Sequence, residues 1–414
     1  MSEGTSLVAR GLGRSYGDAA YNSSGYTVLT ERLNRFVAFD AESGVLECEA
    51  GVTVDEILSV LVPRGFFLPV VPGTKFVTMG GALACDVHGK NHHKDGSLSR
   101  HVTDFRLLTP SGDLVVCSRE QNSDLFWATV GGLGLTGIVT DLRIKLIPLD
   151  SSYVSVDYDR AENIDKALEL FHESDVNYKY SVAWLDGMAW GRQLGRSVLM
   201  RGNPAPAGPD TDLSRHSSRS FSVPDVFPGF LLNRLSVRAF NTFYFRKHPR
   251  KARGVVTHYE PFFFPLDRLS NWNRLYGKQG FLQYQFAVPY EGGREALIEV
   301  LELFAKSRYG LFLAVLKRFG PGEAASALSF PMQGYTLAAD LPCRDAGVFD
   351  FLKQVDRLVS AAGGRIYLGK DARLAAGAVR EMYEGLDSWL DLKARVDPER
   401  RLTSDLAKRL ELVP

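Results

Sequence analysis

The sequence carries no surplus of charge: 49 lysines and arginines face 48 aspartates and glutamates, leaving a formal net charge of +1 over 414 residues. Polymer binding by a global basic field is therefore disfavoured, and no nucleic-acid partner is expected. Cysteine is scarce, with four in the chain. Cys48, Cys85, Cys117 and Cys343 lack metal-type spacing in a chain too long to need disulfide staples, so reduced thiols are expected. No run approaches the roughly 20 apolar residues of a membrane span. The opening "MSEGTSLVAR" has neither the basic start nor the apolar core of a secretory leader. A cytoplasmic or peripheral membrane location is the expectation, with a periplasmic one left open. Histidine is also sparse; His88, His92, His93 and His101 cluster without the carboxylate or thiolate spacing of a closed site, and no metal is expected.

What is present is globular: 45% hydrophobic residues, 11% aromatic and 39 glycines. The length suits two or three domains, each with its own core. "FVAFDAESGVLECEAGV" (36–52) reads as a hairpin about a Ser-Gly turn. "TVDEILSVLVPRG" reads as a helix with Thr53 and Glu56 as a capping box and Gly65 at its end. "VTDFRLLTPSGDLVVCS" is strand, turn, strand; Asn122 is placed to cap "SDLFWATV"; and "GIVTDLRIKLIPL" is a strand closing a region near residue 150. Beyond it, "DKALELFHES" and "REALIEVLELFAKS" are helical, and "YSVAWLD" and "GFLQYQFAVP" are strands. Strands and helices without regular βαβ alternation predict an α+β class with a second domain after 150. The Pro-, Ser- and Arg-rich stretch near 201–230 reads as a long mobile loop.

Three glycine clusters lie in the first region. The first, Gly11, Gly13 and Gly17 in "VARGLGRSYGD", has the wrong spacing for a dinucleotide-binding helix. Gly132, Gly134 and Gly137 match that spacing but follow a helix and lead into a strand, the reverse of the required context. In the third, Pro72 and Gly73 make a turn, while Gly80 and Gly81 would let backbone N–H groups approach an anion. Ordinary turns explain any one cluster. Three together suggest a large extended ligand.

Taken together, "ARGLGRSYGD", "PGTKFVTMGGALACDVHGKNHH", "DLFWATVGGLGLTGIV", "FLQYQF", "YLGKDAR" and "DPERRLTSDLAKRLEL" resemble the vanillyl-alcohol-oxidase-type (PCMH-type) FAD-linked oxidoreductases over nearly the whole chain. Within that family the likeness is to the branch acting on polyprenylphosphoryl ribose. The resemblance implies a cofactor domain of residues 1–150 with 365–414 returning to it, and a substrate domain of 151–364. It implies that Ala9, Arg10, Gly11, Leu12, Gly13, Arg14, Ser15, Tyr16, Gly17, Asp18 and Ala19 wrap the FAD diphosphate. Gly73, Thr78, Met79, Gly80, Gly81, Cys85, Asp86, Val87 and His88 would line the cofactor, with Val139 and Tyr367 completing the pocket. Related sugar oxidases carry a flavin-linked histidine where this sequence has Arg14. Arginine cannot make that bond, so the expected FAD is non-covalent.

The activity implied is oxidation of the ribose 2′-hydroxyl of a polyprenylphosphoryl-β-D-ribose to the 2′-keto sugar, the first half of an epimerisation that makes the arabinose donor for cell-wall arabinan. Its implied partners are a quinone or similar electron acceptor and an NAD(P)H-dependent keto-reductase. Lys370 in "YLGKDAR" matches the family's active-site lysine, where an ammonium would stabilise reduced flavin. His88 and Tyr16 are candidates for the hydroxyl proton, with an ordered water as the alternative. Lys90, Ser181, Trp184, Gln283, Gln285 and Lys317 would bind the sugar and its phosphate, and alternation along "LQYQF" puts both glutamines on one strand face. Thr336, Ala338 and Phe263 depart from the asparagine, cysteine and tyrosine of relatives. "LLNRLSVRAFNTFYFRKHPRKAR" could give a peripheral membrane contact; a core helix or strand followed by a solvated basic tail is the plainer reading. A soluble sugar-lactone or alditol oxidase competes with the leading reading, as does a catalytically silent flavoprotein scaffold, against which the intact "YLGKDAR" argues.

Overall fold

The computed structural model describes residues 5–413 apart from 209–211, 214–220 and 225–232. Two sheets divide the chain close to residue 150. The first is five-stranded, from β1 (Phe36–Asp40), β2 (Val45–Glu49), β3 (Val102–Leu108), β4 (Leu114–Ser118) and β5 (Ile138–Lys145), in the antiparallel order β1-β2-β5-β3-β4. Between β2 and β3 lie helices α1 (Val54–Leu61) and α2 (Met79–Ala84). The expected capping box is present at α1: Thr53 Oγ1 accepts from Glu56 N, and Glu56 Oε2 accepts from Thr53 N. Ile57, Leu58 and Leu61 of that helix join a core with Leu46, Phe105, Phe126 and Leu142.

Helix α3 (Ser123–Thr129) departs from expectation at its start. Asn122 takes the N-cap position at φ 49° but its side chain makes no cap, donating instead to Val116 O at 2.7 Å. It closes the preceding loop.

The second sheet is eight-stranded: β6 (Tyr153–Ala161), β7 (Tyr180–Leu185), β8 (Ser197–Pro204), β9 (Lys251–His258), β10 (Phe281–Pro289), β11 (Leu313–Phe319), β12 (Gly334–Pro342) and β13 (Arg365–Ile366). Their order is β9-β6-β8-β7-β11-β12-β10-β13, with antiparallel neighbours. One face is packed by α4 (Ile164–Ser174), whose Ala167 and Phe171 share a core with Leu297, Val300 and Phe304 of one further helix (Gly293–Lys306) and Leu352 and Val355 of another (Gly347–Ala361). The other face looks toward the first sheet.

The stretch expected as a loop near 201–230 is in part ordered: residues 201–204 complete β8, and Phe221–Ser222 pairs in parallel with Leu269–Ser270. The remainder of that reading falls largely outside the described residues. The segment at 234–253 is also neither core nor tail. It forms α5 (Arg234–Lys247), of which only Val237 and Asn241 are buried, followed by edge strand β9, where Arg253 pairs with Asp157 and Asp159. The end of the chain comes back to the beginning: Thr403 N donates to Leu7 O, and Arg409 forms a two-point ion pair with Asp18.

Candidate active site

Strand register assembles the site. On β12, Thr336, Ala338 and Asp340 alternate onto the face that looks toward the first sheet. Opposite them stand Ala287, Gln285 and Gln283 of β10 on one side, and Lys317, Val315 and Leu313 of β11 on the other. Tyr284, between the glutamines, points the other way and donates to Asp356 at 2.9 Å. The alternation expected from "LQYQF" is thus realised.

Gln285 Nε2 lies 3.0 Å from His88 Nε2 and 3.1 Å from Thr336 Oγ1. Gln283 Nε2 donates to Asp340 Oδ1 at 2.7 Å, and Tyr276 OH to Asp340 Oδ2 at 3.3 Å. Lys370 ends a 3-10 turn, Leu368–Lys370, anchored where Tyr367 N donates to Gln285 O. Its Nζ sits 5.7 Å from the centre of the Tyr16 ring. His88 is caged by Phe319, Phe330 and Tyr367 at 4.8, 5.6 and 5.4 Å between ring centres.

Three buried polar atoms on this wall lack a partner among the described residues: His88 Nδ1, Gln283 Oε1 and Gln285 Oε1. Such atoms are costly to bury unless a ligand or water meets them. They leave hydrogen-bonding capacity open to a polar ligand beside flat aromatic rings.

Burial works against charge throughout the site. Burial brings Lys370 down to about 8, opposed by the charge of Asp340. Lys317 falls well below its ordinary value through burial and then repulsion from Lys370 and Lys90. His88 is held far below the imidazole range by burial, then by Lys317 and Lys370. Burial raises Asp340 to about 6 against the pull of Gln283, Lys370 and Tyr276. Tyr16 is raised by desolvation of its hydroxyl end and then by Asp340, although its ring edge is exposed.

The N-terminal glycine loop passes beside the Lys370 segment. A Cβ at Gly17 would stand 1.9 Å from Asp371 O, and one at Gly13, whose φ is +60°, 2.6 Å from the Arg10 guanidinium. Only glycine lets the loop pass so close to the Lys370 segment. Ala19 is buried. Arg14 Nε donates to Phe76 O at 3.2 Å with its guanidinium otherwise exposed. Ser15 reaches the Cys85 thiol, and Tyr367 OH donates to Cys85 O at 2.8 Å.

Several expected ligand contacts are redirected. Asp18 is spent on Arg409, and the buried Asp86 carboxylate on Ser97, Ser99 N and Ser329. Gly80 N donates to Ala50 O and Gly81 N to the capping Thr78 Oγ1, so neither amide is free for an anion. The Met79 side chain is wholly buried in the core. Ser181 sits on the reverse face of β7, donating to Asp175 at 2.7 Å. Trp184 is on the site face but its ring lies 4.5 Å from Tyr244 of α5, which covers it. Lys90 turns its ammonium to Phe262 O and Phe263 O at 2.7 and 3.1 Å. Among the described residues no three His, Cys, Asp or Glu side chains converge on one point; His93 and His101 each contact a backbone carbonyl.

Asp340 was invisible in the reading of the sequence. The signal was there: in "YTLAADLP" a carboxylate falls two and four residues from the positions already assigned to the pocket, hence on their face.

A family model described as an FAD binding domain matches residues 2–118, and one described as D-arabinono-1,4-lactone oxidase matches residues 277–410. The chain is 39% identical to decaprenylphosphoryl-beta-D-ribose oxidase of Mycolicibacterium smegmatis over 99% of its own length and 90% of the relative's. It is 33% identical to an uncharacterized protein of Streptomyces coelicolor, covering 87% of this chain and all 100% of the other. Identity to L-gulono-1,4-lactone dehydrogenase of Mycobacterium tuberculosis is 23% over 98% and 90% of the two chains.

Proposed function

The chain is an FAD-dependent oxidoreductase of the family that includes decaprenylphosphoryl-β-D-ribose oxidase, and from that premise we propose that it oxidises the ribose 2′-hydroxyl of a polyprenylphosphoryl-β-D-ribose to the ketone. In this reading the product passes to an NAD(P)H-dependent reductase, completing an epimerisation toward an arabinose donor. Electrons leave to a quinone or similar acceptor. The observation that carries the reading is the single sheet face on which Gln283, Gln285 and Lys317 meet His88 and Lys370.

FAD supplies the hydride acceptor; the side chains supply placement, charge and proton handling. Lys370, mostly an ammonium at neutral pH, stabilises negative charge that builds as the alcohol is oxidised. His88 is uncharged there, and because its Nε2 accepts from the Gln285 amide its Nδ1 carries the hydrogen and can donate to a bound ligand. Tyr16 keeps its proton and can hold the sugar by donating. The unpartnered oxygens of Gln283 and Gln285 accept from sugar hydroxyls, and Lys317 answers the phosphate. Ala338, small between Thr336 and Asp340, leaves room for the sugar. Arg14 in place of a flavin-linked histidine supports FAD held without a covalent bond.

Peripheral attachment is part of the reading. No helix among the described residues is long and apolar enough to cross a membrane. Helix α5, however, exposes Leu235, Phe240 and Phe243 beside Arg238, Arg246 and Lys247, along an open groove of about 680 Å³. Aromatic and basic side chains on one exposed helix suit an anionic lipid surface.

The match to a lactone-oxidase model keeps a second reading, oxidation of a soluble sugar lactone. Anaerobic addition of a prenylphosphoryl ribose to the FAD-loaded protein should bleach the flavin, while lactones and free alditols leave it yellow. Bleaching by the lactones alone would reverse the assignment.

A further inference from the structure

Asp340 has no place in the chemistry above, yet among the described residues it is the carboxylate that shares this sheet face with Gln283, Gln285 and Lys317. It is 1% exposed. It is also held at both oxygens, by Gln283 Nε2 on the adjoining strand and by Tyr276 OH from the 3-10 turn Trp272–Tyr276. The partners are themselves fixed, since Tyr276 stacks on Phe281 at 4.5 Å and Tyr16 meets the same ring edge-on at 5.7 Å. Gln283 in turn reaches the Tyr16 hydroxyl.

Lys370 needs a counter-charge, and the nearest carboxylate along the chain does not provide it. Asp371 accepts from the amides of Arg373 and Leu374 and from Arg409. We propose that Asp340 is a positioning residue for this site: clamped by Gln283 and Tyr276, its carboxylate keeps Lys370 an ammonium and fixes Gln283 and Tyr16 against the sugar.

The alternative is a purely structural aspartate that ties β12 to the Trp272–Tyr276 turn. The two differ in what replacement does. A structural carboxylate, once lost, weakens the fold and leaves the acidity of Lys370 alone. A counter-charge, once lost, lets the buried ammonium release its proton at lower pH, because desolvation then acts unopposed. The groups facing Lys370 and Asp340 are Tyr16 from the N-terminal loop, Tyr276 from its turn, Lys317 from β11 and His88 from beyond α2. None of these four supplies a negative charge at neutral pH, and Asp267, whose carboxylate acts on Tyr16, accepts from Lys75 N at 2.9 Å.

The inference rests on the proposed placement of Lys370 at the flavin, and its test needs no sugar. The flavin midpoint potential of the FAD-loaded protein is measured from pH 5.5 to 10 by dye-referenced reductive titration. Wild type should bend near the pH at which Lys370 titrates, about 8, and Lys370→Met should lack the bend. Asp340→Asn should move it down by about one pH unit or more, and Asp340→Glu should restore it. Asp340→Asn should also melt no earlier than wild type at pH 8, since it removes a buried charge. If the asparagine variant does not fold, Asp340→Ser gives the same reading. A bend unmoved in the neutral variants, or one persisting in Lys370→Met, overturns the proposal. Failure of the substrate assignment registers separately, as a wild-type flavin that a prenylphosphoryl ribose does not bleach.

Discussion

Replacing Lys370 by methionine should split activity from stability in opposite directions. Methionine keeps the length and apolar stem of the side chain and deletes the ammonium. Losing a preorganised charge at the reacting centre costs about 3–4 kcal/mol of transition-state stabilisation, so flavin reduction by the sugar should slow by about 10²–10³-fold while FAD stays bound. The folded state gains. A lysine whose pKa falls from 10.5 to about 8 on folding carries a penalty of about 3 kcal/mol, an upper bound once partial hydration is allowed for. The sign follows from which state holds the proton more tightly. Below pH 8 both states are charged and the whole penalty is present; between 8 and 10.5 the folded protein sheds the proton first and the penalty fades. The variant should therefore melt higher than wild type at pH 7, with the gap closing toward pH 10. Anaerobic stopped-flow reduction and apo-protein melting across that range provide the measurements. A variant that melts lower at pH 7 while reducing at the wild-type rate would falsify both the burial and the catalytic role of the ammonium.

Ser181→Ala should leave the reduction rate within about twofold but cost about 1–3 kcal/mol of stability, because Asp175 loses its buried donor; a large loss of turnover would return Ser181 to the sugar site. Acid precipitation should release intact FAD into the supernatant, as Arg14 requires, and a yellow pellet would refute the non-covalent reading. Phe240→Ser with Phe243→Ser should abolish co-sedimentation with anionic liposomes and leave the soluble fold intact; binding equal to wild type would retire α5 as the lipid-facing helix. Gly17→Ala should fail to bind FAD, since its Cβ would collide with Asp371 O; a normally yellow variant would show that the loop can shift.

The local pieces were legible because their causes are local. The capping box at Thr53 and Glu56, the hairpin at 36–49 and the shared face of Gln283 and Gln285 follow from hydrogen bonds and side-chain periods a few residues long. The side-chain partners of Asp18, Asp86 and Ser181 were not legible: each is engaged by a residue 391, 243 or 6 positions away, and no spacing in the chain announces whether a polar side chain is already used. Trp184 is a similar case, facing the correct side of its strand yet roofed by a helix that begins at residue 234.

The sequence by itself determined the element types, the glycine loops, the flavin family and the presence of Lys370. Only the tertiary structure decided which charges share the wall around it, because strand order sets that. β11, β12 and β10 are neighbours in the sheet, so Lys317, Thr336, Asp340, Gln285 and Gln283 lie side by side although they span residues 283–340. Placing three amines and one carboxylate in a common low-dielectric space shifts the proton affinity of each. That coupling exists only once folding has removed the water between them.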